Sequence, residues 1–237
     1  MISRRWIADE VSGRRAVLTG AHAEHLVRVL RAQIGQEYDI SNGERIWRGR
    51  VTTITPERVE FDLGQEINAK KSANITLVLA IFKFDRMEWA IEKCTELGVT
   101  TIVPVIAKRT DSHLAQASAN RLERWRRLAL QASEQSRRLD TPEIKAPAKL
   151  KEVVTLKKMT RILLAESEDQ TSIKDVLAHH PAVDDLALAI GPEGGWTDSE
   201  VGLFTEAGWI AASLGTNILR TETATIAAVA IVTAFAR

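Results

Sequence analysis

The spacing of apolar residues changes along the chain and divides it in two. Up to residue 64 they fall in short runs. Residues 37–41, 46–54 and 58–63 read as strands, parted by turn signals at Asn42-Gly43 and Pro56-Glu57. A short helix precedes them, opening at Thr19 or Gly20, with Leu26, Val29 and Leu30 as its apolar stripe. This pattern predicts a small β-barrel with one helix. The polar stretch at 65–74, QEINAKKSAN, reads as a linker.

A different rhythm follows. Residues 75–82 (ITLVLAIF) are apolar on both faces except at Thr76, as in a buried parallel strand. Helical spacing occupies 85–98, with Met87, Ala90, Ile91, Cys94 and Leu97 on one face, Asp85 and Glu88 as a capping pair, and Gly98 as the stop. Strand patterns recur at 101–106, 161–165, 186–190 and 210–214, and helical ones at 121–139, 199–207 and 223–236. The long helix at 121–139 has its stripe at Leu122, Trp125, Ala129, Ala132, Ser136 and Leu139. Such alternation predicts an α/β domain, a parallel sheet with helices on both faces. The two domains are placed at 1–70 and 71–237.

Composition narrows the function classes. The chain has 237 residues, 45% hydrophobic and 27% charged, an ordinary globular balance. A single cysteine, Cys94, excludes an internal disulfide or a cysteine-rich zinc site. His179-His180 have no metal-ligand spacing around them, so no metal is expected. The first residues lack the apolar core of a signal peptide, and the apolar run at 224–236 is too short and alanine-rich to cross a bilayer. No membrane association and a cytoplasmic setting are the expectations. Net charge is +1; residues 1–72 hold 12 Lys and Arg against 10 Asp and Glu, the remainder 20 against 21. Any nucleic-acid surface must therefore be a local patch.

Two segments carry candidate chemistry. In LALAIGPEGGWTDSE, 186–200, a buried strand runs into Gly191-Pro192-Glu193-Gly194-Gly195, and a helix opens behind the capping pair Thr197 and Glu200. Glycines at the carboxyl end of such a strand let backbone groups approach a ligand. The alternative is a plain connecting turn, but that seldom needs three glycines and a proline about one glutamate. The segment is neither a P-loop nor a G-x-G-x-x-G fingerprint. In SLGTNILRTETATIAAVAIV, 213–232, a strand end leads through Arg220, Thr221, Glu222 and Thr223 into an alanine-rich helix. Helix capping accounts for Thr221 and Glu222 but not for Arg220.

Together the two segments resemble the RsmE family of 16S rRNA uridine methyltransferases, of the SPOUT class. Further matches are KFDRMEWAIEKCTELGVTTIVP at 83–104, RWRRLALQASEQSRRLDTP at 124–142 and HLVRVLR at 25–31. They cover both proposed domains in order. Two places depart from the family: Thr216-Asn217 stand where Pro-Arg is usual, and Lys108-Arg109-Thr110 where Glu-Arg-Ser is usual.

The resemblance implies a PUA-like RNA-binding barrel followed by an α/β domain with a trefoil knot. It implies S-adenosylmethionine as cofactor, held by Leu164, Ala165, Glu166, by Ile190, Gly191, Pro192, Glu193, Gly194, Gly195, and by the stretch 214–224, Leu214, Gly215, Ile218, Leu219, Thr223 and Ala224 among it. The implied reaction is methylation of N3 of a uridine in 16S rRNA, within the small ribosomal subunit; N3–H is a weak acid, so its proton must leave before or during attack on the methyl group. Arg220 is the candidate cation for the developing anion; Glu222 and Glu193 are candidates for a polar or basic role, with loop support equally open for Glu193. Homodimers are implied, with the helix at 223–236 as the contact. Candidate RNA contacts are Arg4, Arg5, Arg28, Arg31, Arg109, Arg124, Arg127, Arg137 and Arg138. Trp6 and Trp47 read as barrel core rather than base-stacking platforms. The rival readings are a related enzyme acting on another rRNA or tRNA nucleotide, and a catalytically dead RNA-binding relative.

Overall fold

Two sheets organise the chain. The computed structural model describes residues 5–67, 73–136, 138–180 and 185–236. Two compact units emerge: Met1–Lys71 with Ser133–Thr141, and Ser72–Ala132 with Pro142–Arg237.

The first unit contains β1 (Arg5–Ile7), β2 (Glu10–Ser12), β3 (Arg15–Thr19), α1 (Gly20–Glu24), β4 (Glu37–Ser41), β5 (Ile46–Thr55) and β6 (Arg58–Ile67). They form a six-stranded sheet in the order β1-β4-β5-β6-β3-β2, antiparallel except where β1 runs beside β4. Its core gathers Trp6, Leu18, Leu26, Ile40, Val51 and Phe61. Trp6 is buried and Trp47 half-buried, in keeping with a core role. Strands β1 to β3 went unread in the sequence because runs of three to five residues give too little alternation to detect. β6 continues to Ile67, into the stretch read as linker.

The expected first helix needs correction. α1 does open behind Thr19, but it passes into a π-helical turn at His25–Val29. The wider turn breaks the 3.6-residue register, so Leu26 is buried while Val29 is 64% and Leu30 36% exposed.

The second unit contains β7 (Asn74–Ala80), α2 (Phe84–Glu96), β8 (Thr101–Ile106), α3 (Ser112–Ala117), α4 (Leu122–Gln135), β9 (Glu143–Ile144), β10 (Ala148–Lys149), α5 (Leu150–Val153), β11 (Thr160–Leu164), α6 (Ile173–His179), β12 (Asp185–Ile190), α7 (Asp198–Glu206), β13 (Ile210–Ala212) and α8 (Thr221–Phe235). The sheet runs β10-β8-β7-β12-β11-β13, with β9 also beside β8, and every pairing is parallel.

Strand alternation sorts side chains into two layers. Ile75, Leu77 and Leu79 of β7, with Leu186, Leu188 and Ile190 of β12, pack beneath α2, α4, α6 and α8. The opposite face carries Val78, Ala80, Ala187 and Ala189 against α5, α7 and three aromatic rings. Small residues on this face leave room for the rings. Phe204 stands edge-on to Trp196 at 5.1 Å and to Trp209 at 5.0 Å between centroids. The Trp209 indole N–H donates to the Val154 carbonyl at 3.0 Å.

Two helix expectations are corrected. α2 begins after Lys83 with no side-chain cap, so Asp85 and Glu88 are not a capping pair; Glu88 instead meets Arg124 at 2.7 Å and Arg121 at 3.7 Å. The long helix is a 3₁₀ turn at Ser118–Arg121 followed by α4, and it stops at Gln135, short of Ser136 and Leu139. Cys94 is fully buried, and burial pushes its thiol pKa up, as for a packing residue. No helix among the described residues is long and apolar enough to cross a membrane.

Replacing Phe204 by Ala removes the ring shared by both tryptophans. Urea unfolding should show a loss of about 3 kcal/mol or more. A loss below about 1 kcal/mol would mean that the aromatic layer contributes little.

Candidate active site

Parallel strands deliver their carboxyl ends to one edge of a sheet. At that edge the segments after β11, β12 and β13 enclose a cleft. Leu164, Ala165 and Glu166 form one wall; Ile190, Gly191, Pro192 and Gly195 a second; Leu214, Gly215, Ile218 and Leu219 a third; Ala224 of α8 closes it. The space is about 770 Å³, open solvent at its mouth included. Glu193, Gly194 and Thr223, expected with these residues, do not line it.

Glu168, Trp196, Ala212 and Ser213 line the cleft but escaped the sequence reading, whereas Thr216, Asn217 and Thr221, also in the lining, fall within the expected stretch 214–224. Trp196 directly follows the glycine loop, which is the signal that could have found it.

The glycine loop is a tight structure. Gly195 N–H donates to the Pro192 carbonyl at 2.8 Å, and Gly195 takes a left-handed φ of 68°. A Cβ on Gly191 would lie 3.2 Å from the Trp196 indole nitrogen. A Cβ on Gly194 would lie 3.3 Å from Arg109 Cδ. Arg109, expected at RNA, spends its guanidinium on the loop, donating to the Gly194 carbonyl and, at 3.4 Å, to that of Trp196.

Glu200 anchors the helix behind the loop. It is 1% exposed. The expected capping box with Thr197 is present, with 2.8 Å contacts from both Thr197 N–H and Oγ1. The same carboxylate also accepts from Lys108 N–H at 2.7 Å, joining the segment after β8 to α7. The segment after β13 is fixed likewise: Ser213 N–H donates to Thr171 O at 2.9 Å, and Ile173 N–H to Ser213 O at 3.0 Å.

The expected catalytic pair separates. Arg220 is the exposed N-cap residue of α8, with no ion pair among the described residues. Glu222 is buried beside α2, where Arg86 Nε lies 3.7 Å from its Oε1. Arg86 Nη1 also donates to Glu193 Oε1 at 2.9 Å. Arg86 lay inside a matched segment but was not singled out, because sequence does not show which partners a helix arginine finds.

The arginines expected at RNA fall into distinct environments. Arg28 is paired with Glu24 at 2.6 Å, and Arg124 with Glu88. Arg31 and Arg127 are exposed with no ion pair among the described residues; Arg5 is half-buried. Arg138 is a correction. Its side chain is 7% exposed and meets Asp140 at 3.3 Å; burial lowers its pKa, and it offers no surface to RNA. Arg4 and Arg137 lie outside the described residues.

Proteins of known family and structure resemble this chain along most of its length. Residues 69–233 match the model of an RNA methyltransferase domain, and 18–64 that of an RNA methyltransferase PUA domain. The chain is 31% identical to a ribosomal RNA small subunit methyltransferase E from Synechocystis sp., over 94% of this chain and 74% of that one. It is 27% identical to the protein of that name from Aquifex aeolicus, over 96% and 98%. The crystal structure of a ribosomal RNA small subunit methyltransferase E from Neisseria gonorrhoeae bound to S-adenosyl methionine superposes with a TM-score of 0.86. That pair shares 30% identity over 97% of this chain and 96% of that one.

Changing Glu200 to Ala strands the Lys108 and Thr197 amides together. Thermal or urea unfolding should register a loss of about 2 kcal/mol. An unchanged midpoint would show that the buried carboxylate is not an anchor.

Proposed function

The chain belongs to the ribosomal RNA small subunit methyltransferase E family, and on that footing we propose that it methylates N3 of a uracil in small-subunit ribosomal RNA, using S-adenosylmethionine. The observation that carries the reading is the cleft at the ends of β11, β12 and β13, assembled from the segments expected to hold that cofactor.

The residues present fit the group. Leu164, Ile190, Leu214 and Leu219 offer apolar surface to a purine, while Glu166, Ser213 and Thr221 offer polar partners for ribose hydroxyls or an ammonium. Trp196 Nε1 is buried without a hydrogen-bond partner among the described residues, a donor left at the cleft wall. Bound S-adenosylmethionine supplies an electrophilic methyl group on a sulfonium.

Loss of the N3 proton leaves negative charge on the uracil oxygens. Arg220 is exposed and has no ion pair among the described residues, so its guanidinium is available to balance that charge. Glu222 is buried and held by Arg86, which gives it a supporting part. Exposed Arg31 and Arg127, with Arg28 and Arg124 exchanging weak carboxylate partners for phosphates, supply the RNA contacts.

We infer a trefoil knot, in which the chain after β13 would pass through the loop after β11; the pairing of Ser213 with residues 171–173, which sets the two segments side by side, supports it. We place a homodimer contact on α8 and α2, where Phe235 is 43% and Trp89 48% exposed. The setting is the cytoplasm, with the substrate presented in the small ribosomal subunit.

Incubation with unmethylated small subunits and labelled cofactor should yield 3-methyluridine by nucleoside mass spectrometry. Arg220→Ala should lower kcat about 100-fold while leaving cofactor affinity intact. Gly194→Trp should abolish cofactor binding in calorimetry, because the added ring displaces Arg109 from the loop. A folded wild-type protein that transfers no methyl to any ribosomal RNA would sink the reading.

A further inference from the structure

We propose that Arg86 is a positioning residue that ties the 191–195 loop to the first turn of α8 and so sets the shape of the cleft. The proposal rests on the methyltransferase reading for what the cleft binds. Three segments far apart in sequence supply the cluster: Arg86 from the first turn of α2, Glu193 from the glycine loop, and Glu222 from the first turn of α8. Arg86 Nη1 is 2.9 Å from Glu193 Oε1, and Arg86 Nε is 3.7 Å from Glu222 Oε1.

The two ends of this tie differ physically. The Glu222 side chain is 8% exposed, and its Oε2 is buried with no hydrogen-bond partner among the described residues. A buried carboxylate in that condition needs its cation, so Arg86 is fixed at the α8 end. Glu193 is 36% exposed. An ion pair that open to water adds little to global stability. It is nevertheless attached to a loop whose neighbouring residues, Gly191, Pro192 and Gly195, line the cleft. One weak bond can therefore order the loop without supporting the fold. Neither carboxylate is free to accept a proton from a substrate: one is enclosed and the other is engaged by the guanidinium.

The test compares the full-length wild type with Glu193→Ala and Arg86→Lys. Glu193→Ala removes only the loop end. Its unfolding temperature should match the wild type. Its affinity for S-adenosylmethionine in calorimetry should fall about five-fold, the upper range for such a pair. KM for the cofactor should rise equally at unchanged kcat, the sign of lost binding rather than lost chemistry. Amide exchange at 191–197 without ligand should quicken. Arg86→Lys keeps a charge for Glu222 but cannot span both carboxylates, and should behave like Glu193→Ala. Wild-type affinity and exchange in Glu193→Ala would overturn the proposal. So would a fall in kcat at constant KM, which would make Glu193 a proton-transfer group. If the wild type binds no S-adenosylmethionine, the methyltransferase reading fails; the exchange rate at 191–197 then decides the tie alone, quickened exchange supporting it and unchanged exchange overturning it.

Discussion

A parallel sheet places every carboxyl end on one edge, and the second unit depends on that constraint. β11, β12 and β13 are adjacent, so the segments leaving them share one volume whatever their sequences. Irregular backbone there would be mobile without fixed partners. Side chains from elsewhere supply them: Arg109 on the glycine-loop carbonyls, Glu200 on Lys108 N–H, and Thr110 Oγ1 on the Ile81 carbonyl at 3.2 Å. The cleft is thus lined by loops and held by residues that do not line it.

The sheet in turn requires both faces to be covered. The alternation of leucine with alanine in β12 divides that work unequally. The leucine face accepts four helices. The alanine face accepts a layer of aromatic rings set edge-on to one another, which fill the space that Ala187 and Ala189 leave. Trp196 belongs to that layer and to the cleft wall at once. Packing of the core and position of the glycine loop are therefore coupled through one indole.

Electrostatics follows a different logic. A helix rich in arginine invites an RNA reading, yet Arg121, Arg124 and Arg126 all have carboxylate partners in the folded chain. Such exposed pairs are worth little and exchange readily with phosphates. Arg138 differs, because burial removes it from any surface. Sign imbalance in the sequence therefore marks a region, while burial decides which of its charges can act.

The sequence by itself determined the alternation of strands and helices, the glycine loop and its capping pair, and the family resemblance. Those are local signals: side-chain period, capping chemistry and turn residues act over a few positions and stand in any linear reading. Short strands such as β1 to β3 fall below that resolution, and the π turn after α1 breaks the period on which the stripe of Leu26, Val29 and Leu30 was read. Tertiary structure alone decided the rest. It brought Arg86 to Glu193 and Glu222, turned Arg109 onto the loop carbonyls, gave Glu200 its second partner and enclosed Arg138. Each of these is a charged side chain meeting a partner distant in sequence, or a matter of burial. The strength and partner of a charge depend on distance and solvent exposure, and no spacing along the chain encodes either.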